Sequence, residues 1–443
     1  MNRVLAAVVL AASVLSACAR AGAPSGHGGE SPVLPTWSPR GEDPAGMTLA
    51  KAAVARATAT PDDAIPVAAA MNTFGFELYR HLASGGSNLV FSPASIELAL
   101  AMARPGARGA TGAQMDAVMR EASSDQMAAG LNALDAALAS RTGSFSDSAG
   151  DDHSVALRIA NSAFAQRDLP FEAAYLEALA SRFDAGIRLV DYVADAEAAR
   201  ALVNGWVLER TEGRIPELLA EGTLDASTRL VLANAIYLKA AWRAPFMDHA
   251  TRERPFTLPD GSTVQAPTMA GVSMTLPHGE GGGWSAVQLP YIGEALAMTV
   301  IVPDDLGSFE GQLSEGRFEE IVGAMKPRSV QLAFPRFDIT GATELAPQLS
   351  AMGMPLAFDS GRADFSGMTA AERLFIGAAI HQAGISVDEA TEAAAATAIV
   401  MRTSNAARDA LQLRVDRPFL FAVRDVPTGA ILFLGRITNP NAG

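Results

Sequence analysis

The stretch whose reading decides the fold is Val387–Ala398, "VDEATEAAAATA". It contains four alanines in a row, Ala393 to Ala396, flanked by threonines and a glutamate. Alanine is the best helix former, so propensity favours a helix. The segment carries no amphipathic stripe, however, and a helix without an apolar face has nothing to pack against. Laid out as a strand, its side chains alternate between two faces. Thr391, Ala393, Ala395, Thr397, Ile399, Met401 and Thr403 share one face. Glu392, Ala394, Ala396, Ala398, Val400 and Arg402 share the other, so both charges fall on the same side. A strand of this kind fits between two others, with its small face to the core and its charges in water. A surface helix, or a low-complexity linker, is the alternative reading of these residues alone.

The flanks favour an exposed loop. "RTSNAARDA" (402–410) is polar and turn-rich, while "AAIHQAGISV" before it and "LQLRVDRPFLFAV" after it read as apolar strands. An exposed stretch of about twenty residues in a compact domain is uncommon and usually functional.

The spacing of Met71, Phe74, Leu78 and Leu82 predicts a helix over Val67 to Ala83. In "SNLVFSPASIELALAMA" a short extended piece leads to a helix capped by Ser92, with Pro93 at its first position. Residues 111–145 read as further helices, 155–166 as a strand, and the chain from there to about Leu219 as helices. "RLVLANAIYLKAAW" (229–242) is a central-strand candidate. After Pro245 the pattern is mostly strands and turns, ending in a hairpin with Pro427-Thr428-Gly429 as its turn. Helices first and strands later give an α+β class.

The chain has 443 residues, 49% hydrophobic and 19% charged, enough for a sizeable core. Its net charge of −14 argues against nucleic acid as a partner, since phosphate binding needs clustered Lys and Arg. At the start, a short basic region (Met1–Arg3) precedes an apolar run, Val4–Val14, too short to span a bilayer. Leu15-Ser16-Ala17-Cys18 follows and resembles the lipobox of bacterial lipoproteins, which implies cleavage after residue 17 and lipidation of Cys18. An ordinary signal peptide with an incidental cysteine is the alternative. Cys18 is the single cysteine, so no internal disulfide forms. Residues 18–64 then read as the lipidated cysteine and a flexible Gly/Pro/Ser-rich tether, with Trp37 as the one residue there that could dock, and 65–443 as the folded domain. Lipidation places the protein on the extracytoplasmic side of a bacterial envelope, anchored to a membrane without a spanning helix.

Sites for catalysis or metals are not apparent. The six histidines (27, 81, 153, 249, 278 and 381) fall in no metal-ligand spacing, and one cysteine cannot build a thiolate zinc site. There is no GxSxG elbow, and Gly281-Gly282-Gly283 lacks the lysine and helix of a phosphate loop. No cofactor, no metal and no catalytic residue are expected.

At this point the residues resemble the serpin family. "VDEATEAAAATA" is similar to the hinge of inhibitory serpins, and "RPFLFAVRDVPTGAILFLGRITNP" to the family's C-terminal signature. "NLVFSPASIELALAMA", "LVLANAIYLKAAW", "VQLAFPRFDI" and "ADFSGMT" match family segments in order, so the resemblance spans about Ile65 to Pro440. It implies helices packed on three β-sheets, with an exposed reactive-centre loop held in a metastable state. It also implies a serine protease inhibitor that is consumed in one reaction. The protease cleaves the loop and forms an acyl-enzyme; the loop then inserts into the main sheet and traps the protease in a covalent 1:1 complex. On that reading the protein is a suicide substrate and not an enzyme, a monomer is expected, and a serine protease (or a cysteine protease) is its partner. A non-inhibitory serpin acting as a surface-anchored binding module is the alternative.

Carried over residue by residue, the hinge is Glu389, Ala390, Thr391, Glu392, Ala393, Ala394, Ala395, Ala396 and Thr397. The polar cluster beneath the main sheet is Ser92, Ser95, Asn234 and His381, and Trp242 marks where insertion begins. Asp388-Glu389-Ala390 departs from the family by placing Ala where Gly is usual. Counting from Thr391 puts the reactive bond at Ser404–Asn405, counting from His381 puts it at Asn405–Ala406, and Arg402 and Arg408 are further alternatives.

Overall fold

"LVLANAIYLKA", Leu230–Ala240, is buried at ten of its eleven positions, which requires a strand covered on both faces. In the computed structural model, which describes residues 43–120, 124–147, 150–271, 273–389 and 410–442, it lies in the middle of a seven-stranded sheet. The strands in chain order are β1 (Thr48–Ala50), β2 (Leu89–Phe91), β3 (Gly143–Ser146), β4 (Asp152–Gln166), β5 (Ile187–Val190), β6 (Leu230–Ala240), β7 (Arg252–Thr257), β8 (Thr263–Ala270) and β9 (Met274–Gly281). They continue as β10 (Trp284–Pro290), β11 (Leu296–Pro303), β12 (Lys326–Pro335), β13 (Phe337–Glu344), β14 (Ala378–Val387), β15 (Leu411–Arg414), β16 (Phe419–Asp425) and β17 (Ile431–Ile437). The longer helices are α1 (Ala64–Leu82), α2 (Pro93–Ala103), α3 (Gly109–Val118), α4 (Ser124–Ala139), α5 (Ala173–Phe183) and α6 (Ala196–Arg210).

The seven-stranded sheet runs β1-β5-β4-β6-β14-β13, with β3 also on β4. The ten-stranded sheet runs β2-β17-β16-β11-β10-β9-β12-β8-β7, with β15 on β12. Its two parts meet on β9, which pairs with β10 through residues 278–281 and with β12 through 274–278. Counted apart, those parts and the first sheet are the three sheets that the resemblance implies.

The alternation along β6 assigns its faces. Leu230, Leu232, Ile236, Leu238 and Ala240 enter the main core with α1 and α2. Val231, Ala233 and Ala235 enter a second cluster beneath α6, where Phe164 meets Trp206 edge-on at 5.4 Å. α2 is buried at every position, so it is a core helix rather than an amphipathic surface one. α1 carries Gly75 where the two helices touch: a Cβ there would lie 2.7 Å from Pro93 Cβ and Cγ.

Three expectations need correction. The flexible tether does not extend to residue 64, because Asp43–Gly443 is one compact unit and β1 pairs with β5. Composition misleads there, since short pairing segments need few apolar residues. The helical reading of 111–145 fails at its end, where Gly143–Ser146 pairs with β4. Between α5 and α6 the four-residue β5 lies parallel to β4, too short to show a period, and residues 211–219 form turns rather than helix. Among the described residues no helix is long and apolar enough to cross a membrane. Residues 1–42, including the signal segment, Cys18 and Trp37, lie outside the described residues.

Gly75→Ala should force α1 and α2 apart and cost about 1–3 kcal/mol, as overpacking usually does. Urea unfolding midpoints measure it; an unchanged midpoint would show that the helices have room.

Candidate functional site

β6 and β14 are parallel neighbours in the middle of the seven-stranded sheet. Their pairing runs from Val231 and Ala378 to Tyr237 and Gly384. Each strand continues for three more residues, still paired on its outer side: β6 to β4 through Ala240, and β14 to β13 through Val387. At that end the two strands stand apart around a cavity of about 260 Å³, lined among others by Arg214, Tyr237, Lys239, Asp338, Thr340 and Asp388. The seam is therefore closed at one end and open at the other.

A polar cluster fastens the closed part. Asn161, Asn234 and His381 occupy one register row across β4, β6 and β14. By parity they point to the α2 side of the sheet. The Ser92 amide donates to His381 Nε2 at 2.9 Å, so the ring proton sits on Nδ1 and is donated to Asn234 Oδ1. Asn234 Nδ2 donates to Ser95 O and, at 2.8 Å, to Asn161 Oδ1. Ser95 Oγ donates to Asn161 Oδ1 at 3.0 Å, and Ser92 Oγ accepts from the Ser95 amide at 3.1 Å, capping α2. Burial of His381 with no facing carboxylate pushes its pKa down to about 3, so it is neutral at physiological pH. The structure thus brings together Ser92, Ser95, Asn234 and His381. Asn161 was missed, although it is the one amide inside the apolar run of β4 and has the same parity as the core residues around it.

A second group of contacts holds the chain as it leaves β14 at the open end. Trp242 stacks on Tyr291 with centroids 4.5 Å apart, and its indole N–H donates to Asp388 O at 2.9 Å. The Phe246 amide donates to Glu389 O at 3.0 Å. The Glu389 carboxylate is buried, accepts from Thr251 Oγ1, and pairs with Arg336 at 2.9 Å. Arg336 is the corner residue between β12 and β13. Thr251, Tyr291 and Arg336 were missed because they are remote from the loop in sequence and ordinary in type. Of the hinge, only Glu389 is described. Ala390, Thr391, Glu392, Ala393, Ala394, Ala395, Ala396 and Thr397 lie outside the described residues, as do Arg402, Ser404, Asn405, Ala406 and Arg408. No group of His, Cys, Asp or Glu among the described residues is arranged to hold a metal.

A family model described as "Serpin (serine protease inhibitor)" matches residues 69–440. An uncharacterized serpin-like protein of Thermococcus kodakarensis is 39% identical over 387 residues, covering 85% of this chain and 87% of its own. A leukocyte elastase inhibitor of Xenopus laevis is 33% identical, with 84% of this chain and 99% of its own covered. Serpin B8 of Homo sapiens is 34% identical, with 84% and 98% covered. Among solved structures, native protease nexin-1 with heparin superposes with a TM-score of 0.75 at 27% identity over 86% of this chain and 100% of its own. Uncleaved ovalbumin does so with a TM-score of 0.74 at 26% identity over 84% and 100%. The bare expectation that the chain is not an enzyme is corrected by these findings. The matching family is described by serine protease inhibition and one of the relatives is named an elastase inhibitor, so the bare negative is withdrawn.

The depressed pKa of His381 has a pH consequence. The unfolded chain binds a proton near pH 6.5 and the folded one near 3, so stability is fully present above about pH 6.5 and falls as pH drops toward 3, by up to about 1.4 kcal/mol per unit. His381→Asn should lower stability at pH 7.5 and flatten this dependence. Urea midpoints at pH 7.5 and 5 for both proteins test it; parallel slopes would contradict the assignment.

Proposed function

The chain belongs to the serpin family, and from that premise we propose that it inhibits its target protease as a suicide substrate, by insertion of the cleaved loop between β6 and β14. The observation that carries this reading is the direction of the seam. β6 and β14 run parallel, and both end at the open side, where the chain leaves from Glu389. A segment that follows β14 and folds back enters between them antiparallel to both. It can then complete a ladder on each side, whereas the present pair shares one ladder that stops at Tyr237 and Gly384. Ala393 and Ala395, on the small face of that segment, suit the space above the buried Asn234 and His381 row. The free energy of completing the sheet is available only after cleavage frees one end of the loop. It is then spent on carrying the acylated protease away from its productive geometry.

The reactive bond proposed is Ser404–Asn405, with Arg402, Ala406 and Arg408 marking the alternatives. Small or amide side chains there suit elastase- or subtilisin-like targets; cleavage at either arginine suits trypsin-like ones. The Leu15–Cys18 sequence supports export through a lipoprotein signal and a lipid anchor at Cys18. The protein would then meet its protease at the outer side of a bacterial membrane.

Incubation with trypsin-, chymotrypsin-, elastase- and subtilisin-like proteases tests the reading. At least one should give a complex that survives SDS, with a released C-terminal peptide that begins at Asn405. Ala395→Arg should convert the protein into a cleaved substrate, because insertion would bury a charge at a cost of several kcal/mol. Complex formation undiminished in that variant, or cleavage without any complex in the parent, would overturn the proposal.

A further inference from the structure

Residues 43–50 precede the matched family region, which begins at 69, yet they are fixed on the sheet. Gly46, at φ +98°, sits in the turn closed by the Met47 amide on Pro44 O at 3.0 Å. That left-handed conformation favours glycine. Arg167 donates to Gly46 O at 2.7 Å, and Met47 packs against the cluster beneath α6. Thr48, Leu49 and Ala50 pair antiparallel with Leu189, Arg188 and Ile187, so β1 covers the edge of the sheet. The Asp43 carboxylate then bridges two elements: Arg188 of β5 at 2.9 Å and Arg210, the last residue of α6, at 3.9 Å. Both guanidinium groups lie over the ring of Trp206, at 4.6 and 5.2 Å. All three charged side chains are at most 13% exposed, so the bridge is screened little by water or salt.

α6 lies across the strands that must separate. Its Val203, Trp206 and Val207 share a cluster with Phe164 of β4, with Val231, Ala233 and Ala235 of β6, and with Ile380 of β14. Parting β6 from β14 therefore breaks α6 away from one side of its own footing. Whatever ties α6 to the rest of the sheet enters the cost of opening.

We propose that residues 43–50 form a strap which ties α6 to the β5 edge and thereby sets how readily the β6–β14 seam opens. Without the Asp43 carboxylate, Arg188 and Arg210 repel one another around Trp206 and α6 loosens. The consequence for trapping rests on the inhibitor reading; the effect on the seam does not.

The test uses the full chain and hydrogen exchange of the β6 and β14 amides, residues 231–240 and 378–387. Asp43→Asn should speed exchange there about tenfold, a coupling of ordinary size between neighbouring elements. Asp43→Glu should restore most of the protection, because the charge returns. Met47→Ala, which loosens the strap without removing a charge, should act in the same direction. Faster exchange confined to β1, β5 and α6, with β6 and β14 unchanged, would overturn the proposal and leave the segment as a simple edge cover. In parallel, the rate of SDS-stable complex formation is measured with the responsive protease. It should rise in Asp43→Asn. A parent protein that traps no protease would refute the inhibitor reading alone, and the exchange result would still decide the strap.

Discussion

One side-chain hydrogen bond, from His381 Nδ1 to Asn234 Oδ1, joins the two strands at the middle of the main sheet in addition to their backbone ladder. Both residues are buried, so the bond cannot be traded for water while the sheet stays closed. It is fixed from below, because the His381 ring also accepts the Ser92 amide and Asn234 also donates to Ser95 O. α2 thus presents the start of its helix to the seam, and the close approach of Gly75 to Pro93 sets how near that start can come. A cluster held at this many points is a latch: fully satisfied it keeps the strands together, and half-satisfied it costs more than an apolar core would.

The remaining features are arranged around that latch by position along the seam. β6 and β14 share a ladder on both sides of it, as far as Tyr237 and Gly384; beyond that row they part around the cavity, each held by its outer neighbour. At the mouth, Trp242, Phe246, Thr251 and Arg336 hold Asp388 and Glu389 where the chain departs. On the opposite face α6 spans β4, β6 and β14. A sheet fastened at one end, open at the other and weighted by a helix across the seam has one direction in which to open, from the mouth toward His381.

Much of this was legible in the sequence. β6 announces itself as an apolar run too long and too branched for a half-exposed strand. Ser92 and Pro93 mark the start of α2, and the cap is as the sequence suggests. What stayed hidden follows from distance or brevity. Asn161 is invisible until β4 is registered against β6, because one amide in an apolar strand has no partner in the sequence. Thr251 and Arg336 reach Glu389 from segments 138 and 53 positions away, and nothing local marks either. The strand Thr48–Ala50 has three residues and follows a Gly/Pro-rich stretch, so its composition resembles a linker while its backbone pairs with β5.

The most direct test of the central claim locks the seam. Cysteines replacing Ile236 and Ala383, which face one another across β6 and β14, would join the strands by a disulfide. The account predicts that the oxidised protein is cleaved by the responsive protease without retaining it, and that reduction restores the SDS-stable complex. An oxidised protein that traps protease as well as the reduced one would show that the loop does not enter between β6 and β14.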